Sequence, residues 1–194
     1  MKQQQNYVFK NWAKNVQSQV ANYFQPETEE EIISVVKNHH KIRMVGTGHS
    51  WSGICATNEA LLNLDYYNKI THIDKERKLV TVQAGIKLWQ LNILLDKEGL
   101  ALLNLGSIDQ QSIAGAISTG THGSGIQFQI LGSQMREFSL IKADGSKQII
   151  NKEKAILLIK FSLFALIGFL LIFSIKIKNT LPPSKAGIGK RLKI

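Results

Sequence analysis

The first regular pattern of apolar and polar residues lies near residue 30. Thr28 precedes Glu31 by three positions, which is the spacing of a capping box at a helix N-terminus. The apolar residues that follow share one helical face: Ile32, Ile33, Val35 and Val36. The pattern predicts a helix over 28–40, then a short strand at 42–45 and a glycine-rich loop at 46–53.

Three apolar runs and a second helical pattern follow this loop. The runs at 61–65, 70–74 and 79–84 have the length of strands, and the polar stretch between the last two predicts a hairpin. Residues 87–98 then space their leucines at helical intervals: Leu88, Leu91, Leu94 and Leu95. Gly99 stands where a left-handed C-terminal cap belongs, so we predict a second helix that ends there.

Residues 106–132 contain six of the fifteen glycines of the chain, interleaved with serine and threonine. This composition is typical either of a flexible linker or of a loop whose backbone approaches a ligand closely. Isoleucine recurs at positions where a linker would not need it: Ile108, Ile113, Ile117, Ile126 and Ile130. We therefore predict a buried loop that faces a ligand. Beyond it, β-prone runs at 138–143 and 147–150 flank Asp144-Gly145, a two-residue hairpin signal.

The chain changes character after residue 150. Fifteen of the twenty residues from Ile156 to Ile175 are Ile, Leu or Phe, and about 20 apolar residues suffice to cross a bilayer. A central Lys disfavours insertion by roughly 3 kcal/mol, against about 0.3 to 0.6 gained for each Leu, Ile or Phe, and Lys160 lies near one end. Residues 156–175 therefore predict a transmembrane helix and a possible membrane partner, and the basic residues 176–194 predict a disordered tail.

Charge and composition narrow the class of protein. Hydrophobic residues make up 44% and charged residues 20%, which predicts a packed core. The net charge of +10 divides into +2 for residues 1–150 (15 basic, 13 acidic) and +8 for 151–194 (9 basic, 1 acidic). A nearly neutral domain gives no reason to expect a nucleic acid as partner.

Cysteine and histidine usage excludes further classes. Cys55 is the only cysteine, so neither an intramolecular disulfide nor a thiolate zinc cluster can form. The five histidines lack metal-ligand spacing, and we predict no metal site. The N-terminus has no apolar signal sequence, which together with the lone cysteine predicts a cytoplasmic domain.

The loop after the 42–45 strand is the first candidate for chemistry. Gly46-Thr47-Gly48 offers free backbone N–H groups at a tight turn, which suits a pyrophosphate but equally an ordinary glycine turn. The dinucleotide fingerprint fails because Trp51 replaces its third glycine, and the hydrolase elbow fails because Ser52 replaces its last. On the motif alone, an ordinary turn is favoured.

The motifs say more as an ordered series than singly. In chain order they are Asn11-Trp12-Ala13-Lys14-Asn15, Pro26, Val45-Gly46-Thr47-Gly48-His49-Ser50, Val82 to Gly85, Gly106-Ser107 and Thr119-Gly120-Thr121-His122-Gly123. This series resembles the FAD-binding (PCMH-type) domain of the vanillyl-alcohol-oxidase superfamily. Within it, the series is most similar to the sugar-1,4-lactone oxidases (arabinono- and gulono-lactone oxidases) and to the alditol and xylitol oxidases.

The resemblance implies an α+β fold of two small α/β subdomains over residues 8–152, with FAD held between them. It assigns two sets of cofactor-binding residues: Gly46, Thr47, Gly48, His49 and Ser50 in a first pyrophosphate loop, and Gly106, Ser107, Ser112, Gly115, Ser118, Thr119, Gly120, Thr121, His122 and Gly123 in a second. It also implies that His49 is joined covalently to the flavin. For His122, a residue that anchors the backbone is the alternative.

The activity implied is oxidation of a sugar lactone or sugar alcohol by hydride transfer to the flavin, with O₂ as acceptor reaching it past Gly106. In this family the substrate-binding and proton-accepting side chains lie in a C-terminal domain, so we assign no catalytic residue. After the Asp144-Gly145 hairpin, only 162–166 echoes the family pattern, which predicts a truncated or frameshifted sequence beyond about residue 155. The alternative function is an FAD-binding fragment without turnover, tethered to a membrane.

Overall fold

Two β-sheets, each packed against helices, make up the part of the chain that the computed structural model describes, residues 1–151 and 171–178. The elements in chain order are β1 (Lys2–Lys10), β2 (Gln17–Gln25), α1 (Glu29–Asn38), β3 (Ile42–Val45), β4 (Ala60–Asn63), β5 (Ile70–Asp74), β6 (Leu79–Gln83), α2 (Leu88–Lys97), α3 (Ile113–Ser118), β7 (Met135–Ile141), β8 (Lys147–Asn151) and β9 (Leu171–Lys178). Short 3-10 turns lie at Gly53–Cys55 and Leu131–Gln134. The predicted α+β fold of two subdomains is confirmed.

The first sheet has the strand order β1-β2-β4-β3. β1 and β2 form an antiparallel hairpin, and β2 and β3 both run parallel to β4. All four residues of β4 are buried, as expected for a central strand that is covered on both faces. The predicted helix is α1, in which the Thr28 side chain accepts a hydrogen bond from the Glu31 N–H at 3.3 Å. Its buried residues Ile32, Val35 and Val36 pack against β4.

The second sheet is antiparallel throughout, with the strand order β5-β6-β9-β7-β8. Both predicted hairpins are present, β5–β6 and β7–β8, and Gly145 takes a φ of +79° in the turn of the second. The predicted second helix is α2, which ends before Gly99 at a φ of +69°. Its face toward the sheet buries Leu88, Leu91 and Leu95, whereas Leu94 is exposed.

The prediction for the C-terminal segment is wrong where the structure describes it. Residues 171–175 of the predicted transmembrane helix and residues 176–178 of the predicted disordered tail together form β9, and 156–170 and 179–194 lie outside the described residues. β9 lies between β6 and β7 and pairs with both, so the sheet would be split without it. The prediction failed because a strand in the interior of a sheet can be as rich in apolar residues as a transmembrane helix. Among the described residues, no helix has the length and apolarity to cross a membrane.

The hairpin β1–β2 was not predicted. β1 is rich in glutamine and mostly exposed, which is typical of a polar edge strand that shows little periodicity. Only Phe9 on β1, and Val20 and Phe24 on β2, reach the buried core. An apolar signal this sparse does not identify a strand.

Close backbone contacts join the two subdomains. Gly85, just after β6, donates its N–H to the Tyr67 carbonyl at 3.0 Å, and a Cβ at Gly85 would lie 1.7 Å from the Leu64 carbonyl oxygen. Only glycine allows this approach. Beside it, the Lys87 ammonium forms an ion pair with the Asp65 carboxylate, and the Lys87 side chain is only 13% exposed. The junction is therefore tight and carries a paired, largely buried charge.

We predict that Ile177→Ala lowers the free energy of unfolding by about 2 to 5 kcal/mol, because Ile177 is 2% exposed and belongs to the core of the second sheet. Lys176→Ala is the matched control, since Lys176 is only half-buried and its loss should change stability by less than about 1 kcal/mol. Urea unfolding followed by circular dichroism measures both. Equal stability of the two variants would contradict the placement of β9.

Candidate FAD site

The loop that follows β3 lies against the start of α3. A Cβ at Gly46 would come within 2.4 Å of the Ser112 hydroxyl oxygen, so the two segments touch only because residue 46 is glycine. The carbonyl of Gly46 is held from the first sheet, where the amide of the buried Asn63 donates to it at 3.2 Å. The predicted first and second cofactor loops therefore meet at Gly46 and Ser112.

The carbonyl groups of the first loop are held by the turn between β1 and β2. Trp12 donates its backbone N–H to the Gly48 carbonyl at 2.9 Å. The Asn11 amide donates to the Ser50 carbonyl at 2.9 Å, and the Asn15 amide donates to the Trp51 carbonyl at 3.0 Å. Gly48 adopts a φ of +70°, a left-handed conformation that suits glycine.

The N–H groups of the same loop are left available. Among residues 1–151 and 171–178, no carbonyl or side chain accepts a hydrogen bond from the backbone N–H groups of residues 47–50. A tight turn that keeps several N–H groups free is suited to an anion such as a pyrophosphate. The residues present therefore fit the phosphate portion of a dinucleotide cofactor.

The second predicted loop is in part a helix. Residues 113–118 form α3, which sequence reasoning placed in a loop because glycine and serine are poor helix formers. Ser112 is its N-cap and accepts from the Gly115 N–H at 3.4 Å, while the Thr119 hydroxyl donates to the Gly115 carbonyl at 2.9 Å. These two hydroxyls are thus engaged by the helix itself, whereas Ser118 is exposed.

The remaining residues of the second set lie on two adjacent stretches. A Cβ at Gly106 would lie 2.9 Å from the Thr121 methyl group, and a Cβ at Gly123 would lie 2.4 Å from the Leu105 carbonyl oxygen. The Thr121 hydroxyl also donates to the Gln111 side-chain oxygen at 3.3 Å. Glycine at 106 therefore has a packing role, whether or not it also leaves a path for oxygen.

The two predicted histidines have different surroundings. His49 is half-buried and stacks on the Trp12 indole, with ring centroids 5.3 Å apart and an interplanar angle of 28°. His122 is exposed, and its Nδ1 lies 3.0 Å from the Gly123 carbonyl oxygen. The second contact agrees with a residue that anchors the backbone. Burial raises the pKa of the Cys55 thiol, which keeps this side chain protonated close to the first loop.

Several side chains that shape the site were missed from the sequence. Asn11 and Asn15 hold the first loop, Asn63 holds Gly46, and the buried Gln134 accepts from the Leu103 N–H at 2.9 Å. Each is an amide whose partners are backbone groups distant in sequence. The only available signal was the position of Asn11 and Asn15 within the ordered motif series.

The fold and the two glycine loops define an FAD-binding domain. The pattern of a family described as an FAD binding domain matches residues 20–150, and the chain belongs to this family. The resemblance to the PCMH-type domain is thereby confirmed, and the cofactor is FAD.

Individual relatives refine this assignment. The chain is 39% identical over 156 residues to D-arabinono-1,4-lactone oxidase of Saccharomyces cerevisiae, an alignment that covers 76% of this chain and 30% of the yeast protein. It is 41% identical over 143 residues to L-gulonolactone oxidase of Scyliorhinus torazame, covering 72% and 32%. The structure of cholesterol oxidase from B. sterolicum superposes with a TM-score of 0.76 at 19% identity, covering 93% of this chain and 37% of that one, and shows the same fold. The chain spans about a third of the length of these curated relatives.

We predict that Gly46→Ala weakens FAD binding at least about tenfold, because the added methyl group pushes the first loop away from Ser112. Gly53→Ala is the matched control, since the nearest atom to a Cβ there lies 4.0 Å away. Titration of apoprotein with FAD, followed by flavin fluorescence, measures both. Adding Ser112→Ala to Gly46→Ala removes the clashing oxygen and should recover part of the affinity; unchanged affinity of Gly46→Ala alone would contradict the contact.

Proposed function

We propose that the protein to which this chain corresponds oxidises a CH–OH group of a sugar lactone or sugar alcohol, with FAD as hydride acceptor and O₂ as final acceptor. The observation that carries the proposal is the meeting of two glycine loops at Gly46 and Ser112, with free N–H groups at 47–50. The names of the relatives support a lactone as substrate, because both D-arabinono-1,4-lactone and L-gulonolactone oxidases align over more than 70% of this chain.

The described residues divide the work of holding FAD. Residues 46–50 would bind the pyrophosphate through backbone N–H groups, and the stretches at 106–107, 112–115 and 118–123 would bind the rest of FAD. On these stretches the exposed Ser107 and Ser118 hydroxyls would supply hydrogen bonds, and glycines would allow the backbone to approach. Bound FAD supplies the redox chemistry, while the chain orients the cofactor.

His49 is the proposed covalent attachment point for the flavin. It lies on the first loop, and stacking on Trp12 limits the orientations of its ring. A neutral imidazole is a nucleophile, so the chemistry suits attack on the flavin 8α-methyl carbon. As the N–C bond forms, the imidazole would lose its N–H proton and the methyl carbon one C–H proton. The two electrons left on the cofactor would pass to O₂, the acceptor in the proposed reaction.

We predict that flavin fluorescence stays on the polypeptide when the FAD-loaded protein is denatured in acid, and that His49→Ala releases it. His122→Ala is the matched control, because this exposed histidine should leave the bond intact. Acid precipitation followed by fluorescence of pellet and supernatant separates the two forms. Release of flavin from the unmutated protein would exclude a covalent link, though not FAD binding.

The second candidate function is an FAD-binding fragment without turnover. The observation that favours it is that the site residues named above are all assigned to FAD, and none of them to a substrate. Positioning of a substrate near the reacting group is worth about 7 to 11 kcal/mol, and we assign no residue of this chain to that task.

We predict no appreciable turnover by residues 1–194 alone, even with FAD bound. The test follows hydrogen peroxide with xylitol, sorbitol, arabinono-lactone and gulono-lactone, in detergent with added FAD. A complete lactone oxidase under the same conditions is the control for the assay. Substrate-dependent peroxide at the rate of that enzyme would mean that residues 1–194 carry the whole active site.

Cytoplasmic location of the flavin domain is the corresponding proposal for localisation, and the lone cysteine supports it. Attachment to a membrane through 156–175 conflicts with the structure, because β9 takes residues 171–175 of that segment. Fractionation of cells that express the chain tests the location, and recovery with the membranes after a carbonate wash would contradict it.

A further inference from the structure

The turn between β1 and β2, residues 11–16, donates hydrogen bonds to the backbone of the first FAD loop. Three backbone carbonyls of that loop, those of residues 48, 50 and 51, accept hydrogen bonds from this turn and from nowhere else among the described residues. The donors are the Trp12 N–H and the side-chain amides of Asn11 and Asn15. All of β1 and all of this turn precede residues 20–150, which the family pattern matches.

Asn11 is the centre of these contacts. It is 4% exposed, and its amide donates both to the Ser50 carbonyl at 2.9 Å and to the Asn15 side-chain oxygen at 2.7 Å. Its own side-chain oxygen accepts from the Val16 N–H at 3.1 Å. A buried amide with all of these partners has a single orientation, because any rotation leaves buried polar groups unpaired.

Trp12 contributes through its ring. The indole is 61% exposed, so it adds little to the hydrophobic core, yet it stacks on the His49 imidazole. Trp51 is 68% exposed and meets Trp12 edge-on, with ring centroids 6.4 Å apart. Among the described residues, the ring that stacks on His49 is that of Trp12 and not that of Trp51. An aromatic pair of this kind biases the orientation of a ring by about two- to tenfold.

We propose that the turn at residues 11–16 is a clamp that presets the first FAD loop, and that Trp12 is a positioning residue that orients His49 for reaction with the flavin. By holding the carbonyl groups on one side, the clamp keeps the N–H groups of residues 47–50 free for the pyrophosphate. The role of Trp12 rests on the proposed covalent function of His49. The role of the clamp in FAD affinity does not.

The clamp is tested where no covalent bond can form, in full-length protein that carries His49→Ala. Adding Asn15→Ala removes two hydrogen bonds, the one to the Trp51 carbonyl and the one that the Asn15 side-chain oxygen accepts from the Asn11 amide. It should weaken reversible FAD binding at least about twofold. Adding Asn22→Ala instead is the matched control, because Asn22 lies on the same hairpin and does not contact the loop. Equal affinity of the two double variants overturns the clamp.

Trp12 is tested by the rate at which acid-stable flavin forms at saturating FAD. Trp12→Ala should slow the reaction about three- to tenfold, whereas Trp12→Phe, which keeps a stacking ring, and Trp51→Ala should stay within about twofold of the unmutated protein. The reversible affinity for FAD is measured in the same variants. In Trp12→Ala this affinity should change much less than the rate at which acid-stable flavin forms. An unchanged rate in Trp12→Ala, or an equal loss in Trp51→Ala, overturns the assignment.

Failure of the proposed linkage is separately visible. If the unmutated protein forms no acid-stable flavin, the covalent role of His49 and the orienting role of Trp12 fall together, and the Asn15 comparison still decides the clamp.

Discussion

The contact between Gly46 and Ser112 is the constraint on which the site depends. Gly46 directly follows β3 of the first sheet, and Ser112 is the N-cap of α3. The first residue of α3, Ile113, donates its N–H at 2.8 Å to the carbonyl of Ile86, which lies just after β6 of the second sheet. A glycine in direct contact with a side chain tolerates almost no displacement. The contact therefore requires that the two sheets keep a fixed position relative to each other. The close packing at Gly85 and the Lys87–Asp65 ion pair beside it provide this fixed position.

Hydrogen bonds to the carbonyl groups of the first loop fix its shape and leave its N–H groups available to a ligand. A loop with both its carbonyl and its N–H groups satisfied internally has nothing to offer a ligand, and one with neither satisfied has no fixed shape. Here the turn at residues 11–16 donates hydrogen bonds to carbonyl groups of the loop, and no described residue accepts from the N–H groups of 47–50. The loop is therefore held in place and is still able to bind an anion. The residues that shape the loop, at 11–16, are therefore distinct from the N–H groups of 47–50 that the proposed function assigns to the cofactor.

Sequence patterns predicted the elements whose signal is local. α1 follows from its Thr28 cap, α2 from its leucine spacing and Gly99, and the hairpin of the second sheet from Asp144-Gly145. The glycine loops and their cofactor could be predicted because an ordered series of motifs resembles one family. The edge hairpin and the short helix α3 were missed because their local signal is weak. The amides that reach backbone groups tens of residues away were missed because their contacts are non-local.

β9 shows why an apolar run cannot be assigned by density alone. Its pairing places Lys176 opposite both Glu137 on β7 and Thr81 on β6, and turns Ile177 toward the core. A slip of one residue would exchange these environments, burying the lysine and exposing the isoleucine. The alternation Ile175-Lys176-Ile177-Lys178 thus specifies one register between two strands that come from distant parts of the chain. A segment whose charges and apolar residues agree with its neighbours on both sides belongs to the sheet, so the domain includes residues 171–178 and does not end at 152.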